Sequence, residues 1–153
     1  MLNLLSALAS VATAIAVFFA AWQLVLSQRQ AMTAFEDSLA KEYRDLAAKL
    51  PVKALLGEPL TEAEYSRHFD ELYHYFDLCN EQVFLMQAGR VSKRTWAFWR
   101  DGMASNLARP AFSLAWSEIA ARAGEDFSEL RKLFPPDPFN PQAAARAGQI
   151  SEA

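Results

Sequence analysis

Polar and apolar positions divide this chain sharply. Residues 1–28 carry no charged side chain, and Arg29 is the first. Within that stretch residues 4–26 read LLSALASVATAIAVFFAAWQLVL. This apolar run of about 23 residues makes roughly 35 Å of helix, enough for a hydrocarbon core of about 30 Å. Trp22 stands near its end, where an indole suits the headgroup level. Two rival readings are a cleaved signal peptide and the core helix of a soluble domain. The first would need a basic n-region and a shorter apolar core, although Ala14-Ile15-Ala16 has the spacing of a cleavage site. The second would normally keep a polar face. The run is read as a transmembrane anchor over residues 1–27.

From residue 28 to 50 the pattern turns periodic. Met32, Phe35, Leu39, Tyr43, Leu46 and Leu50 recur three or four apart, with no Gly or Pro among them. Asp37 with Lys41 and Asp45 with Lys49 are i,i+4 pairs in the favourable order. The helix is therefore expected to run on as an amphipathic stalk. Its apolar stripe would pack on the chain's own helices or on a second copy, about three heptads being short for a coiled coil.

Residues 51–60 (PVKALLGEPL) break the pattern and read as a linker. Thr61 and Glu64 then form a capping box. The helix they open carries Tyr65, Phe69, Leu72, Phe76, Cys79, Val83 and Met86 on one side. Arg67, Asp70, His74, Asp77 and Glu81 lie on the other, and Gly89 ends it. Ser92 caps a third helix with Trp96, Trp99, Met103 and Leu107 on one face. Pro110 opens a fourth, turning Phe112, Ala115, Trp116 and Ile119 to the same core and stopping at Gly124. A short fifth helix begins at Asp126, spaced for a capping box with Glu129, and points Phe127, Leu130, Leu133 and Phe134 inward. Residues 135–153 are rich in proline and small polar residues and read as a disordered tail. The expected fold is all-α: an N-terminal transmembrane helix continuing into an amphipathic stalk, plus a small helical bundle at 61–134.

Charge sets orientation and excludes partners. Arg29, Lys41, Arg44 and Lys49 follow the anchor, while the other flank offers only the α-amino group. The positive-inside bias then places the C-terminal domain in the cytoplasm and the N-terminus outside. A formal charge of -3 argues against nucleic acid, whose phosphates need a basic face. The single cysteine, Cys79, has no internal disulfide partner and packs as a small hydrophobe. Ser6, Ser10 and Ala14, and likewise Ala12, Ala16 and Ala20, form rows of small residues that would let two anchors approach closely. The expected partners are the lipid bilayer and a second copy or another membrane protein.

Catalytic chemistry is sparse. Glu71 and His74 are half of a di-iron carboxylate motif, yet the chain has two histidines and both lie on one helix. Asp70, His74 and Asp77 share a stripe that would serve a mononuclear metal, but it lies opposite the apolar one and should be solvated. These four are the metal candidates. No nucleophile elbow or phosphate-binding loop occurs, and no cofactor is expected. The aromatic set Trp96, Phe98, Trp99 and Trp116 fills the core or lines an interface; Phe98 falls off the stripe of its neighbours. The reading favoured is a membrane-tethered cytoplasmic helical module acting as an interaction or accessory protein. The alternative is a metal-dependent or small-ligand enzyme using the Glu71/His74 stripe.

Gln23, Gln28 and Arg29 after the anchor, then Trp96, Trp99, Pro110, Trp116 and Phe127, form a spaced pattern. In this the chain resembles small bacterial membrane-anchored helical proteins of the domain-of-unknown-function type. The resemblance implies the architecture and transfers no activity, cofactor or catalytic residue.

Overall fold

The computed structural model describes residues 2–136, so the tail expected over 135–153 lies, from residue 137 onward, outside the described residues. Every element among the described residues is helical. Helix α1 covers Leu2–Ala47 without interruption. An 18-residue window within it has a mean hydropathy of 2.0 and none of it is buried, so α1 is long and apolar enough to cross a membrane. The hydroxyls of Ser10 and Thr13 donate back to the carbonyls of Ser6 and Ala9 at 2.9 Å, so neither polar side chain is left unsatisfied in the apolar run.

Contacts divide the chain into two compact units, Met1–Ser38 and Leu39–Ala153. The second contains the end of α1, where Leu39 is buried, and six shorter helices: α2 (Val52–Leu55), α3 (Glu62–Arg67), α4 (Phe69–Gln87), α5 (Lys93–Leu107), α6 (Pro110–Arg122) and α7 (Ser128–Leu133). Helix α4 is the axis, packing on α3, α5, α6 and α7. Its stripe forms as expected, with Leu72, Phe76, Cys79 and Val83 buried. Because neighbours approach from several sides, Tyr75, Leu78, Gln82 and Leu85 are buried as well. Phe76 and Phe112 are among the largest fully enclosed side chains. Rings meet through the centre, Tyr75 edge to face with Phe112 at 5.0 Å and Phe76 tilted on Trp116 at 5.2 Å.

The structure revises three expectations. The supposed linker holds a one-turn helix, α2, whose Ala54 is buried; Gly57 follows in the left-handed region, φ 86°. The helix opened by the Thr61–Glu64 box, itself present, breaks at His68 (φ −109°, ψ 13°), and the stripe continues across the break with the Tyr65 and Phe69 rings 5.7 Å apart. Asp126 does not cap the last helix. Phe127 occupies that position in the left-handed region with no side-chain cap, its ring packed between Tyr73 and Trp116. The cap comes instead from α4: Asn80 Oδ1 accepts from the Glu129 and Leu130 amides at 3.1 and 3.0 Å.

Candidate functional site

The four aromatic candidates separate into two pairs. Trp96 and Trp116 are buried, and the Trp116 indole donates to the Phe134 carbonyl at 3.0 Å. Both belong to the core of the bundle. Phe98 is 79 % exposed and Trp99 half-buried, and both line a cleft of about 290 Å³. Ser92 sets this arrangement up, since its hydroxyl accepts from the Thr95 amide and starts α5 in register. With Trp96 and Met103 turned to the core, Phe98, Trp99 and Gly102 fall at the edge of the buried face.

The opposite walls come from α4 (Tyr75, Cys79, Gln82) and the end of α1 (Ala40, Tyr43, Arg44). Polar groups below the cleft are mostly satisfied by one another. Asn106 Nδ2 donates to the Tyr75 hydroxyl at 2.9 Å, and Arg109 Nη1 donates to Asn106 Oδ1. The Tyr75 hydroxyl in turn lies close enough to the buried Cys79 thiol for the two to interact. Burial pushes that thiol up to about 12 and raises Tyr75 well above its ordinary value, so both are neutral at pH 7. A neutral buried thiol is no nucleophile.

Two lining residues are not used up in this way. Gln82 is only 5 % exposed, yet its carboxamide has no hydrogen-bond partner among the described residues. Such an amide brings two donors and an acceptor. Gly102 lies within α5, where glycine costs about 1 kcal/mol relative to alanine. A Cβ built on it would meet nothing within 4 Å, so packing does not account for the glycine. The open space beside it belongs to the cleft.

The electrostatics have one sign. Arg44 supplies a positive charge, and no aspartate or glutamate lines the cleft. Aromatic walls attract cations by about 0.5–2 kcal/mol. A guanidinium 4–8 Å away opposes a unit cation by about 2–4 kcal/mol at an effective dielectric near 20. Repulsion wins, and an anion is the charged species this cleft favours.

The metal candidates are placed otherwise. Asp70, His74 and Asp77 are exposed on α4, and His74 lies edge to face with Tyr73, ring centres 6.0 Å apart. Half-buried Glu71 has its Oε2 3.8 Å from Nδ1 of His68, and both of these screened atoms lack a hydrogen-bond partner. Among the described residues no three His, Cys, Asp or Glu side chains are grouped to hold a metal ion.

Sequence patterning did not single out Glu118, which is buried on α6. Its carboxylate accepts from the Tyr65 hydroxyl at 2.9 Å and from Arg122 Nη1 at 2.8 Å. Arg122 also lies over the Phe69 ring at 5.6 Å. This cluster clamps α3 and the start of α4 to α6. Every group in it is paired, which suits a structural bond.

No family model matches the chain, nor does any curated protein or solved structure.

Proposed function

We propose that the protein is a membrane-tethered helical module that works by binding and not by catalysis. It would sit in a bacterial inner membrane with its N-terminus outside and its bundle in the cytoplasm, as the basic residues following the apolar run favour. The observation that carries the reading is a pairing within one chain. An entirely uncovered apolar helix segment accompanies a unit that builds its own core yet leaves Phe98 exposed beside a cleft. Isolated surface aromatics are common, but one at the mouth of a cleft is a favourable anchor for recognition.

Two measurements test it. Native membranes washed with alkaline carbonate should retain the chain, and a C-terminal reporter should be active only in its cytoplasmic form. Release by carbonate, or a reporter active outside, would overturn the tether or its direction. A photo-crosslinking residue at position 98 should give a discrete adduct in native membranes, absent when the same residue replaces exposed Glu81. Identical adducts at both positions, or none at either, would count against recognition at this face.

A further inference from the structure

We propose that the cleft formed by the end of α1, α4 and α5 is a binding site for a small aromatic carboxylate, its ring against Trp99 and Phe98 and its anionic group toward Arg44 and Gln82. This rests on the recognition role given above to the Phe98 face, names a ligand for the cleft beside it, and stands whether or not the chain is tethered.

Size comes first. A volume of about 290 Å³ lies just below the range of about 300–1,000 Å³ that takes drug-sized ligands, so one or two rings fit and a long acyl chain does not. Shape follows from the walls. Tyr43, Tyr75, Phe98 and Trp99 all line the cleft, and the Tyr43 and Tyr75 ring centres are 6.3 Å apart. Such walls suit a flat ring, which stacks offset or edge to face. Gly102, exposed and among the lining residues, has no side chain of its own to narrow the cleft, so the ring has room beside it. Charge is set by Arg44, since the other groups there are neutral at pH 7 and no acid opposes it. Direction comes from Gln82, a nearly buried amide whose N–H groups can donate to a carboxylate and at present donate to no protein group among those described. A carboxylate bound in the cleft would give these N–H groups an acceptor within the protein's own walls.

The experiment uses the full chain in nanodiscs of zwitterionic lipid, with empty nanodiscs as the partition control. Trp fluorescence and ligand-observed NMR would follow titration with 3-phenylpropionate, with 3-phenylpropan-1-ol and with phenyltrimethylammonium. The carboxylate should bind saturably, about tenfold or more tighter than the alcohol, and the ammonium ion should not bind. Arg44→Gln should remove the tenfold preference while leaving the alcohol's affinity unchanged. Gly102→Leu should fill the space and weaken the carboxylate at least about tenfold without lowering the thermal midpoint, because leucine is the better helix former. That variant separates loss of the site from loss of the fold. Three results would overturn the proposal: no saturable carboxylate binding at 10 mM, which is on the order of the weakest measurable affinities; ammonium binding as tight as carboxylate, which would make the cleft a cation cage; or wild-type affinity in Gly102→Leu, which would place binding elsewhere.

Discussion

Replacing Asn80 by alanine removes the acceptor that starts α7 from outside the helix. One side-chain oxygen accepts from two successive amides, of Glu129 and Leu130. Loss of an ordinary N-cap costs about 0.5–2 kcal/mol, and a donor left unsatisfied in a screened position about 1–3 kcal/mol. Asn80 is half-buried, so water can replace part of the lost bonding, and about 2 kcal/mol is the expected net cost. For a unit of about 100 residues that corresponds to a fall of roughly 10 °C in the thermal midpoint. The affected region carries its own reporter, because the Trp116 indole donates to the carbonyl of Phe134, the residue that ends α7. Near-ultraviolet circular dichroism and Trp fluorescence of the full chain in nanodiscs should therefore show the change, whereas α7, with 6 residues, adds little to the far-ultraviolet signal. Asn80→Asp keeps an acceptor oxygen and adds a negative charge at a helix N-terminus, worth about 0.3–1 kcal/mol and offset by nearby Glu129. It should stay within about 3 °C of the wild type. If Asn80→Asp falls as far as Asn80→Ala, or if Asn80→Ala changes the midpoint by less than about 2 °C, the cap is not what holds α7.

Three further outcomes follow from particular side chains. Cys79, pushed from 9.0 to about 12 by burial, should react with a disulfide reagent at pH 8 on the order of a thousandfold more slowly in the native chain than in the unfolded one, and prompt stoichiometric labelling would contradict its burial. Lys53 and the Thr61 amide hold Glu64 at about 2 against an ordinary 4.5, so its contribution is fully present above pH 4.5 and is lost as the pH falls toward 2. The gap in thermal midpoint between wild type and Glu64→Gln should accordingly close across that window, and a gap that is constant with pH would disprove the linkage. Glu118→Ala should cost about 2 kcal/mol in denaturant titrations, because Tyr65 and Arg122 lose a shared acceptor; Tyr65→Phe, which leaves the Arg122 pair in place, should cost about 1 kcal/mol.

The helices were legible where one face does all the packing. A charge-free run is distinctive over any window, and the Thr61–Glu64 box and the Ser92 cap act within a single turn. Periodicity likewise located Phe76, Phe112 and Trp116 because each lies at the centre of its stripe. It failed wherever the partner is remote in sequence. Asn80 and Leu130 are fifty positions apart, and no spacing within 126–133 reveals that the cap there is borrowed. The Asp126/Glu129 pattern was a false local signal. Glu129 is held instead by Lys132 and Gln87, its carboxyl below the ordinary range for the first of these reasons above all. The break at His68 was hidden for the opposite reason, since a bent helix can keep its apolar residues in line.

The cleft combines both situations, which is why it was half visible. Phe98 stood out because it falls off the stripe of Trp96, Trp99 and Met103, and a large aromatic off its stripe must be either exposed or covered by something else. Arg44 and Gln82 carried no such mark. Arg44 sits among alternating charges on a helix surface, where an arginine is unremarked, and Gln82 lies one position beside the buried stripe of α4. Only the approach of three helices makes one of them the charged side chain of an aromatic cleft and the other a nearly buried amide with no protein partner among the described residues. The polar stripe at Asp70, His74 and Asp77 shows the converse. Its spacing on one helix looked like chemistry, yet its groups face water and no second element brings them a common target. Side chains gathered from separate elements around enclosed space carry more weight for function than side chains aligned along one helix, because only the former can desolvate what they bind.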